Sequence, residues 1–281
     1  MPSVLASKPL VDETAIFVKA RVDAYRDQGG VPQIVVVLAS DDPAAFSYAK
    51  AKERAGSRLG IAVAIEQMGS SEGQHELNER IAALSADRSV HGIILELPLR
   101  PSLNANDAMK FLDPRKDIDG LSEANVAKLA AGDEENAILP ATPQACIALA
   151  ESVASVRGRL IAVVGRGRTV GRPLATMLIN RGATVFHCHS LTSDLATVTS
   201  SCDMIFCATG RAGLIGKAHV RAGQVIIDAG TNYAEGAVRG DVDAEAVEGI
   251  VRAYSPVPGG VGPLTSMMVF KNLLKAFDLQ A

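Results

Sequence analysis

The chain has 281 residues, of which 48% are hydrophobic and 21% charged, and its formal net charge at pH 7 is −3. This length allows two domains with separate cores, and the weak negative charge excludes a general attraction to nucleic acid or to anionic membranes. No apolar run reaches the roughly 18 residues of a membrane-spanning helix, and the amino terminus lacks the pattern of a secretory signal. The four cysteines match no familiar zinc spacing, so we expect buried free thiols, no metal site and a cytoplasmic protein.

The first half of the chain alternates between helical and extended patterns. Apolar side chains recur at three- and four-residue steps over residues 12–27, and a nearly continuous apolar run follows over 33–39. The remaining predicted elements are helices near 43–58, 72–84 and 104–112 and strands at 61–65 and 90–95. Such alternation predicts an α/β fold with a parallel sheet covered by helices.

The stretch 160–173 is the clearest motif in the second half. A short apolar strand, 160–164, leads into Gly165, Gly167 and Gly171, and a predicted helix then runs to about residue 181. Backbone N–H groups at such a helix start suit a pyrophosphate, although the spacing G-x-G-x-x-x-G is one residue longer than the usual dinucleotide motif. On its own the motif also fits a tight turn without a ligand.

The segment after this motif favours NADP over NAD. A second strand, predicted at 183–187, is not followed by the Asp or Glu that usually binds the ribose of NAD. It ends instead in neutral or weakly basic groups, namely His187, Cys188, His189, Ser190 and Thr192. Arg166 and Arg168 lie in the glycine turn, where their positive charges would favour binding of a 2′-phosphate.

The remainder of the chain continues the α/β pattern. A helix is predicted at about 142–153, strands at 203–208, 224–228 and 250–253, and a closing helix from 265 to about 277. Residues 255–263 contain too much proline and glycine for a helix or a strand.

Candidate catalytic groups lie in the first half. Tyr48 and Lys52 are four residues apart and share one helix face, where a partly desolvated lysine beside a phenol could exchange a proton. Because Lys50 and Arg54 recur on the same helix, an ordinary solvated basic face is the alternative. Glu96 ends a buried strand, where it acts in a site or forms a structural ion pair.

Two further pairs of polar residues are ambiguous. Asp117 and Asp119 could bind a metal, cap a helix or accept paired N–H groups from a planar heterocycle, but no calcium-loop spacing follows them. His187 and His189 would share one strand face, yet no third ligand is evident. We therefore expect no metal at either pair.

Several motifs occur together in a specific order. They are Tyr48-x-x-x-Lys52, Gly92-Ile-Ile-Leu-Glu-Leu-Pro-Leu99, Lys116-Asp-Ile-Asp-Gly120, Pro140-Ala-Thr-Pro143, Gly165-Arg-Gly-x-x-Val-Gly-Arg-Pro173, Thr184-Val-x-x-Cys-His-Ser190, Asp228-x-Gly-x-Asn232, Gly240-Asp-Val-Asp243 and Pro256-Val-Pro-Gly-Gly-Val-Gly-Pro263. With these motifs the chain resembles the bifunctional methylenetetrahydrofolate dehydrogenase/methenyltetrahydrofolate cyclohydrolase family over nearly its whole length.

The resemblance implies a role for each matching residue. Lys52 would be the central catalytic lysine, Tyr48 would stack on the folate, and Asp119 would bind the pterin edge, with Glu96 as a further catalytic group. The other implied substrate contacts are Leu97, Pro98, Pro258, Gly259 and Gly260. The implied NADP contacts are Gly165, Arg166, Gly167, Gly171, Ser190 and Thr231.

The resemblance also implies the fold and the reaction. An N-terminal α/β substrate and catalytic domain (1–139 plus 268–281) and a C-terminal Rossmann-type NAD(P)-binding domain (140–267) would enclose a cleft between them. The enzyme would be a homodimer that serves one-carbon metabolism. The enzyme would oxidise 5,10-methylenetetrahydrofolate with NADP and hydrolyse the methenyl product to 10-formyltetrahydrofolate. Three alternatives remain: a dehydrogenase-only relative, a folate-binding paralogue without turnover, and a dehydrogenase of hydroxy acids.

The chain departs from the family pattern at four positions. Glu96 stands for the usual Gln, Ala45 for Ser, Ala141 for Cys and Gly167 for Ser. The first two bear on Lys52, because a carboxylate at position 96 would hold the lysine protonated and weaken it as a base. We therefore expect a retained dehydrogenase and a reduced or altered cyclohydrolase.

Overall fold

The computed structural model describes residues 3–234 and 237–280. The chain forms two compact units: the first consists of Glu13–Leu139 and Val269–Ala281, and the second of Met1–Asp12 and Pro140–Met268. The sequence-based division assigns residues 1–12 to the first domain instead. They group with the second unit because a two-residue strand, β1 (Ser3–Val4), pairs in parallel with β11 (Ala253–Tyr254).

The first unit is built on a small parallel sheet in the order β3-β2-β4. Its strands are β2 (Gln33–Leu38), β3 (Ala62–Gln67) and β4 (Gly92–Leu95). Its helices are α1 (Lys8–Asp27), α2 (Pro43–Leu59), α3 (Gln74–Ala86), α4 (Ala105–Met109), α5 (Glu123–Ala130) and the later part of α10 (Val261–Gln280), with α1 also contributing its first turn to the second unit. Apolar side chains of β2, β4 and α3 form the core beneath this sheet.

Local sequence explains where α2 begins and ends. The Asp42 side chain accepts a hydrogen bond from the backbone N–H of Ala44 at 2.8 Å, and Pro43 occupies the first helical position, where its missing N–H costs nothing. Gly60 ends the helix in the left-handed region, with φ of 81°. These caps fix the helix that carries Tyr48 and Lys52.

A cluster of rings ties the carboxyl end of α10 to the first unit. Tyr25 stacks on Phe277 with ring centroids 4.6 Å apart, and its hydroxyl lies 2.9 Å from Nε2 of His91. The backbone N–H of Gln33 donates to Nδ1 of His91 at 3.2 Å, so that nitrogen carries no proton. Burial, with a smaller contribution from Lys116, lowers the pKa of His91.

The second unit contains a parallel six-stranded sheet in the order β1-β11-β8-β7-β5-β6. Its further strands are β5 (Leu160–Val164), β6 (Thr184–Cys188), β7 (Met204–Cys207), β8 (Val225–Asp228) and the antiparallel pair β9 (Asn232–Ala234) and β10 (Ala237–Arg239). Its helices are α6 (Ala141–Glu151), α7 (Gly171–Asn180), α8 (Leu195–Ser201), α9 (Ala244–Val247) and the first turns of α10. The chain passes from β5 to β6 on one side and then to β7 on the other, and ligands of α/β sheets bind at such a reversal.

The two-domain α/β class with a Rossmann-type sheet is confirmed, and several elements differ in extent. Helix α10 begins at Val261 although Gly262 and Pro263 follow, because proline is tolerated in a first helical turn. The sequence analysis did not identify α5, α8 or the β9–β10 pair, whose patterns are short and weakly apolar. Within the described residues, no helix is both long and apolar enough to cross a membrane.

Candidate functional site

Lys52 and Glu96 form a buried ion pair in the first unit. The Lys52 Nζ lies 2.7 Å from a Glu96 carboxylate oxygen, and their side chains are 16% and 7% exposed. Glu96 directly follows β4, and Lys52 lies on the helix that follows β2, the strand beside β4. Parallel pairing brings the ends of these two strands together, which accounts for the contact.

Lys50, which neighbours Lys52 on α2, has a more exposed environment. Lys50 pairs with Glu53 on the solvent side, where both side chains are about two-fifths exposed, and its ammonium lies 5.8 Å from the Phe46 ring centroid. The alternative of an ordinary solvated basic residue therefore describes Lys50, whereas Lys52 faces a buried carboxylate.

Tyr48 and Ala45 lie on the same face of α2 as Lys52. Tyr48 is one helical turn before the lysine and is 44% exposed, so its ring has surface available for a planar ligand. Ala45 lies two turns before the lysine and is 1% exposed. A buried methyl group therefore fills this position.

Asp119 completes the polar group around Lys52. Burial raises the pKa of this carboxyl to about 7, with Lys52 opposing the rise and Glu96 and Asp117 adding to it. Part of the side chain remains open to solvent. Asp119 is therefore close enough to Lys52 and Glu96 to interact with both charges.

Asp117 holds the loop that presents Asp119. Its buried carboxylate accepts hydrogen bonds from the backbone N–H groups of Gly120 and Ser122, at 3.0 and 2.7 Å, and from the side-chain amide of Asn125 at 3.0 Å. The two backbone donors lie in the loop before α5 and not in the first turn of that helix, so Asp117 fixes the loop and does not cap α5.

Leu97 and Pro98 follow Glu96 and form a short ridge. Leu97 is partly buried and Pro98 exposed, and the peptide between them is cis. Arg100, which is 7% exposed, donates to the carbonyl oxygens of Gly69 and Glu72 at 2.7 and 3.0 Å and holds the end of this segment. The ridge thus leaves β4 in a fixed direction beside Glu96.

A cavity of about 420 Å³ opens in the second unit at the ends of β5, β6 and β7. Four predicted cofactor contacts line it: Gly165, Arg166, Gly167 and Ser190. Thr209, Arg211 and Leu214 form part of its wall as well. The sequence analysis did not select these three residues, although their position after β7, at the carboxyl end of a parallel strand, was an available signal.

The glycines of the turn differ in their packing. A Cβ at Gly165, whose φ is 116°, would collide with the carbonyl of Ala208, and a Cβ at Gly171 would collide with the carbonyl of Gly165. A Cβ at Gly167 would meet open space. Gly165 and Gly171 thus allow the close backbone approach, whereas Gly167 borders the open cavity. Among the described residues no side chain caps α7, so its first N–H groups suit an anionic ligand.

Both histidines at the end of β6 have structural hydrogen bonds. His187 Nε2 lies 2.9 Å from the carbonyl oxygen of Gly165, and His189 Nδ1 accepts the N–H of Leu191 at 3.2 Å. A second cavity, of about 400 Å³, is lined by Arg166, Arg172 and both histidines and adjoins the first. Across residues 3–234 and 237–280, no cluster of three or more His, Cys, Asp or Glu could hold a metal ion.

The other predicted contacts lie elsewhere in the second unit. Gly171 starts α7 behind the turn, and Thr231 is an exposed residue between β8 and β9; neither lines the 420 Å³ cavity. Pro258, Gly259 and Gly260 precede α10, and the Ser7 backbone N–H and hydroxyl both donate to the carbonyl oxygen of Gly259, at 3.0 and 3.1 Å. A Cβ at Gly260 would collide with the carbonyl of Pro256, so this turn requires glycine.

Known proteins resemble the chain throughout its length. A family model for the tetrahydrofolate dehydrogenase/cyclohydrolase catalytic domain matches residues 5–119, and one for the NAD(P)-binding domain of the same family matches residues 140–281. A bifunctional protein FolD from Deinococcus radiodurans is 44% identical, covering 99% of this chain and 94% of the relative. A FolD protein from Exiguobacterium is 38% identical over 98% of each chain.

Solved structures agree with the sequence relatives. The bifunctional FolD methylenetetrahydrofolate dehydrogenase/cyclohydrolase of Campylobacter jejuni matches with a TM-score of 0.96 and 34% identity over 100% of both chains. The Trypanosoma brucei enzyme, solved with NADP and an inhibitor, has a TM-score of 0.93 and 28% identity, covering 99% of this chain and 98% of that one. Together with the polar cluster at Lys52 and the glycine turn, these matches establish that the chain belongs to the tetrahydrofolate dehydrogenase/cyclohydrolase family.

Proposed function

We propose that the protein oxidises 5,10-methylenetetrahydrofolate to 5,10-methenyltetrahydrofolate with NADP and hydrolyses the product to 10-formyltetrahydrofolate. The observation that carries the proposal is the group of Lys52, Glu96 and Asp119 at the end of a parallel sheet, in a chain 44% identical to a bifunctional relative. Such a cluster offers a cation for orientation and carboxyl groups for proton exchange.

The first unit would bind and orient the folate. The exposed ring of Tyr48 supports stacking on the pterin, one turn from Lys52. Asp119 would accept paired N–H groups from the amidine-like edge of the pterin, a bidentate contact that a carboxylate makes well when ionised. Leu97 and Pro98 would contact the apolar part of the substrate beside Glu96.

The second unit would hold NADP. The close packing at Gly165 and Gly171 and the uncapped start of α7 fit a pyrophosphate. Arg166 and Ser190 border the cavity, and their side chains would take the 2′-phosphate. Gly167 would allow backbone contact with the cofactor, and Thr231 and the turn at Pro258–Gly260 would contact the ligands from the other end of the unit. When bound, NADP supplies the acceptor for the hydride that leaves the methylene carbon.

Glu96 would change the balance between the two activities. Hydrolysis of the methenyl carbon needs Lys52 to help activate water, whereas its ammonium is engaged by a Glu96 carboxylate oxygen 2.7 Å away. The buried methyl of Ala45 adds no hydroxyl to support that water. Hydride transfer depends mainly on orientation, so the dehydrogenase step would be less affected.

The decisive experiment assays the two half-reactions separately in the wild type and in a Glu96→Gln variant, each with NADP and with NAD. We expect methylenetetrahydrofolate and NADP to yield the methenyl chromophore, with NAD used less well, and the variant to open methenyltetrahydrofolate faster than the wild type. Absence of the chromophore with either cofactor would contradict the dehydrogenase assignment. Equal hydrolysis by both proteins would refute the role given to Glu96.

We also propose that the protein is a cytoplasmic homodimer that contacts its second copy through the β6 edge. Among the described strands β6 pairs with β5 alone, and nearby Phe186, Ile179 and Leu191 are 44%, 58% and 78% exposed. An open strand edge beside apolar surface favours symmetric pairing. The four free cysteines suit a reducing compartment. Light scattering should show a dimer that Phe186→Lys dissociates; a monomeric wild type would contradict the proposal.

A further inference from the structure

We infer that Asp241 is a positioning residue that sets the affinity of the second unit for NADP, by fixing the backbone of residues 209–211. This inference rests on the proposed NADP-dependent function, and nothing in the matched family descriptions assigns such a role to Asp241. The residue lies outside the cavity and would act through its wall.

The carboxylate of Asp241 is fully buried and accepts hydrogen bonds from three successive backbone N–H groups. It accepts hydrogen bonds from the N–H groups of Thr209, Gly210 and Arg211, the last two at 3.2 and 2.9 Å. The side-chain amide of Asn232 donates to it at 3.0 Å. Backbone N–H groups that converge in this way form a pocket for an anion, and here an internal carboxylate fills it.

A second buried carboxylate, that of Asp228, holds Asp241 in place. It accepts the backbone N–H groups of Gly230, Asp241 and Val242 at 2.8, 3.1 and 2.9 Å. A Cβ at Gly230 would collide with the Asp241 carboxylate, and one at Gly240 would collide with that of Asp228. The two glycines of the D-x-G-x-N and G-D-V-D motifs are therefore required by the two carboxylates.

The backbone of the 240–243 segment supports the same loop at its other end. The N–H of Gly213 donates to the carbonyl oxygen of Gly240 at 3.2 Å, and the N–H of Ile215 donates to that of Asp241 at 3.0 Å. The side chain of Asp241 thus holds the beginning of the loop 209–215, and its main chain holds the end. Three residues of this loop, Thr209, Arg211 and Leu214, line the 420 Å³ cavity.

This arrangement has a direct consequence for ligand binding. Because the N–H groups of residues 209–211 are already engaged, they keep the loop rigid and leave the anionic part of the cofactor to the glycine turn and α7. Loss of the Asp241 carboxylate would free the loop, and NADP would then have to order it on binding. The cost falls on cofactor affinity and leaves the Lys52 cluster unchanged.

The experiment compares Asp241→Asn with Asp243→Asn in the full-length protein. Asp243 is exposed and caps α9 by accepting the N–H of Ala246 at 3.1 Å, so its variant makes the same charge change two residues away without touching the loop. We measure the Kd of NADP by calorimetry, the KM values for NADP and for methylenetetrahydrofolate, kcat at saturating NADP, and Tm.

Asp241→Asn should raise the Kd and KM for NADP about tenfold, the factor expected when a buried charge-assisted hydrogen-bond acceptor is lost. The KM for methylenetetrahydrofolate and kcat should stay within about twofold, and Asp243→Asn, in which the asparagine still caps α9, should leave both Tm and NADP affinity close to those of the wild type. If Asp241→Asn does not fold, Asn232→Ala, which removes a single donor to Asp241, should give a smaller rise of the same kind. Unchanged NADP affinity in the folded variant, or equal changes in Asp241→Asn and Asp243→Asn, would overturn the inference. A wild type that fails to bind NADP would overturn the proposed function and this inference together.

Discussion

Breaking the Lys52–Glu96 pair should destabilise the protein more when one partner is removed than when both are neutralised. Their side chains are only 16% and 7% exposed, so water screens them poorly. Two unit charges about 4 Å apart at an effective dielectric constant near 20 attract by about 4 kcal/mol. Desolvation offsets part of this attraction, but an unpaired charge left behind has no such compensation.

Lys52→Met should therefore lower the free energy of unfolding by about 3 kcal/mol, because Glu96 keeps a buried charge without its partner. Glu96→Gln should cost about 2 kcal/mol, because the Lys52 ammonium that it leaves unpaired is the more exposed of the two charges. The double variant Lys52→Met/Glu96→Gln should lose only about 1 kcal/mol, which gives a coupling energy of about 4 kcal/mol. Urea unfolding at pH 7 measures these values, followed by far-UV circular dichroism because the chain contains no tryptophan.

A second cycle on the same helix provides the control. Lys50 and Glu53 are 2.9 Å apart, but both are about two-fifths exposed. Lys50→Met and Glu53→Gln should therefore couple by no more than about 0.5 kcal/mol. The reasoning about burial would be refuted if the Lys52–Glu96 costs were additive within about 0.5 kcal/mol, or if the two pairs gave the same coupling energy.

Three other outcomes are expected. Gly165→Ala should destabilise the protein by about 2 kcal/mol or more and abolish NADP binding, since the added methyl group collides with the Ala208 carbonyl. Gly167→Ala should fold normally, because its methyl group meets open space. Equal thermal stability of the two variants would contradict this difference. Burial lowers the pKa of His91, so the contribution of the neutral imidazole to stability is present above about pH 6.5 and is lost as the pH falls. His91→Gln should therefore show a smaller drop in Tm between pH 7 and 5 than the wild type. An identical drop would show that another group is responsible. The pH dependence that Asp119 gives to stability has the opposite sign, since the pKa of this carboxyl rises from 3.8 to about 7 on folding. The stabilising contribution of Asp119 is present at acid pH and is lost as the pH rises towards 7, so Asp119→Asn should weaken the fall in stability from pH 4 to 7. An unaltered pH profile would argue against a perturbed carboxyl.

The sequence predicted much of this architecture because the buried parallel strands are almost wholly apolar. Strands β2, β4 and β5 contain apolar runs of three to five residues, and turn residues mark their ends. The meeting of Lys52 and Glu96 was also predictable, since both follow neighbouring strands on the same sheet edge. Prediction of the site from sequence therefore works where strand order alone brings residues together.

The parts that were not predicted depend on long-range backbone hydrogen bonds. The sequence alone leaves Asp117 open between metal binding, helix capping and a ligand contact. Its role in fixing a loop depends on hydrogen bonds from Ser122 and Asn125, which no local pattern predicts. Asp241 receives its donors from a loop 30 residues earlier in the chain, and no local pattern indicates that pairing. The two-residue strand β1 is likewise too short to give a period, so its partner β11 could not be inferred.

The later part of α10 belongs to the first unit although it follows the second unit in the chain, and this order affects how a newly made protein acquires its fold. Asn272 donates to the carbonyl oxygens of Ile118 and Leu139 at 2.8 and 2.9 Å, and Gln280 donates to those of His91 and Arg115 at 2.9 and 3.1 Å. A nascent chain that has just emerged as far as residue 139 therefore lacks the partners of these carbonyls until α10 has also been made. Domains usually fold in the order in which the ribosome releases them. Here the first unit is completed only after the whole of the second unit has been synthesised.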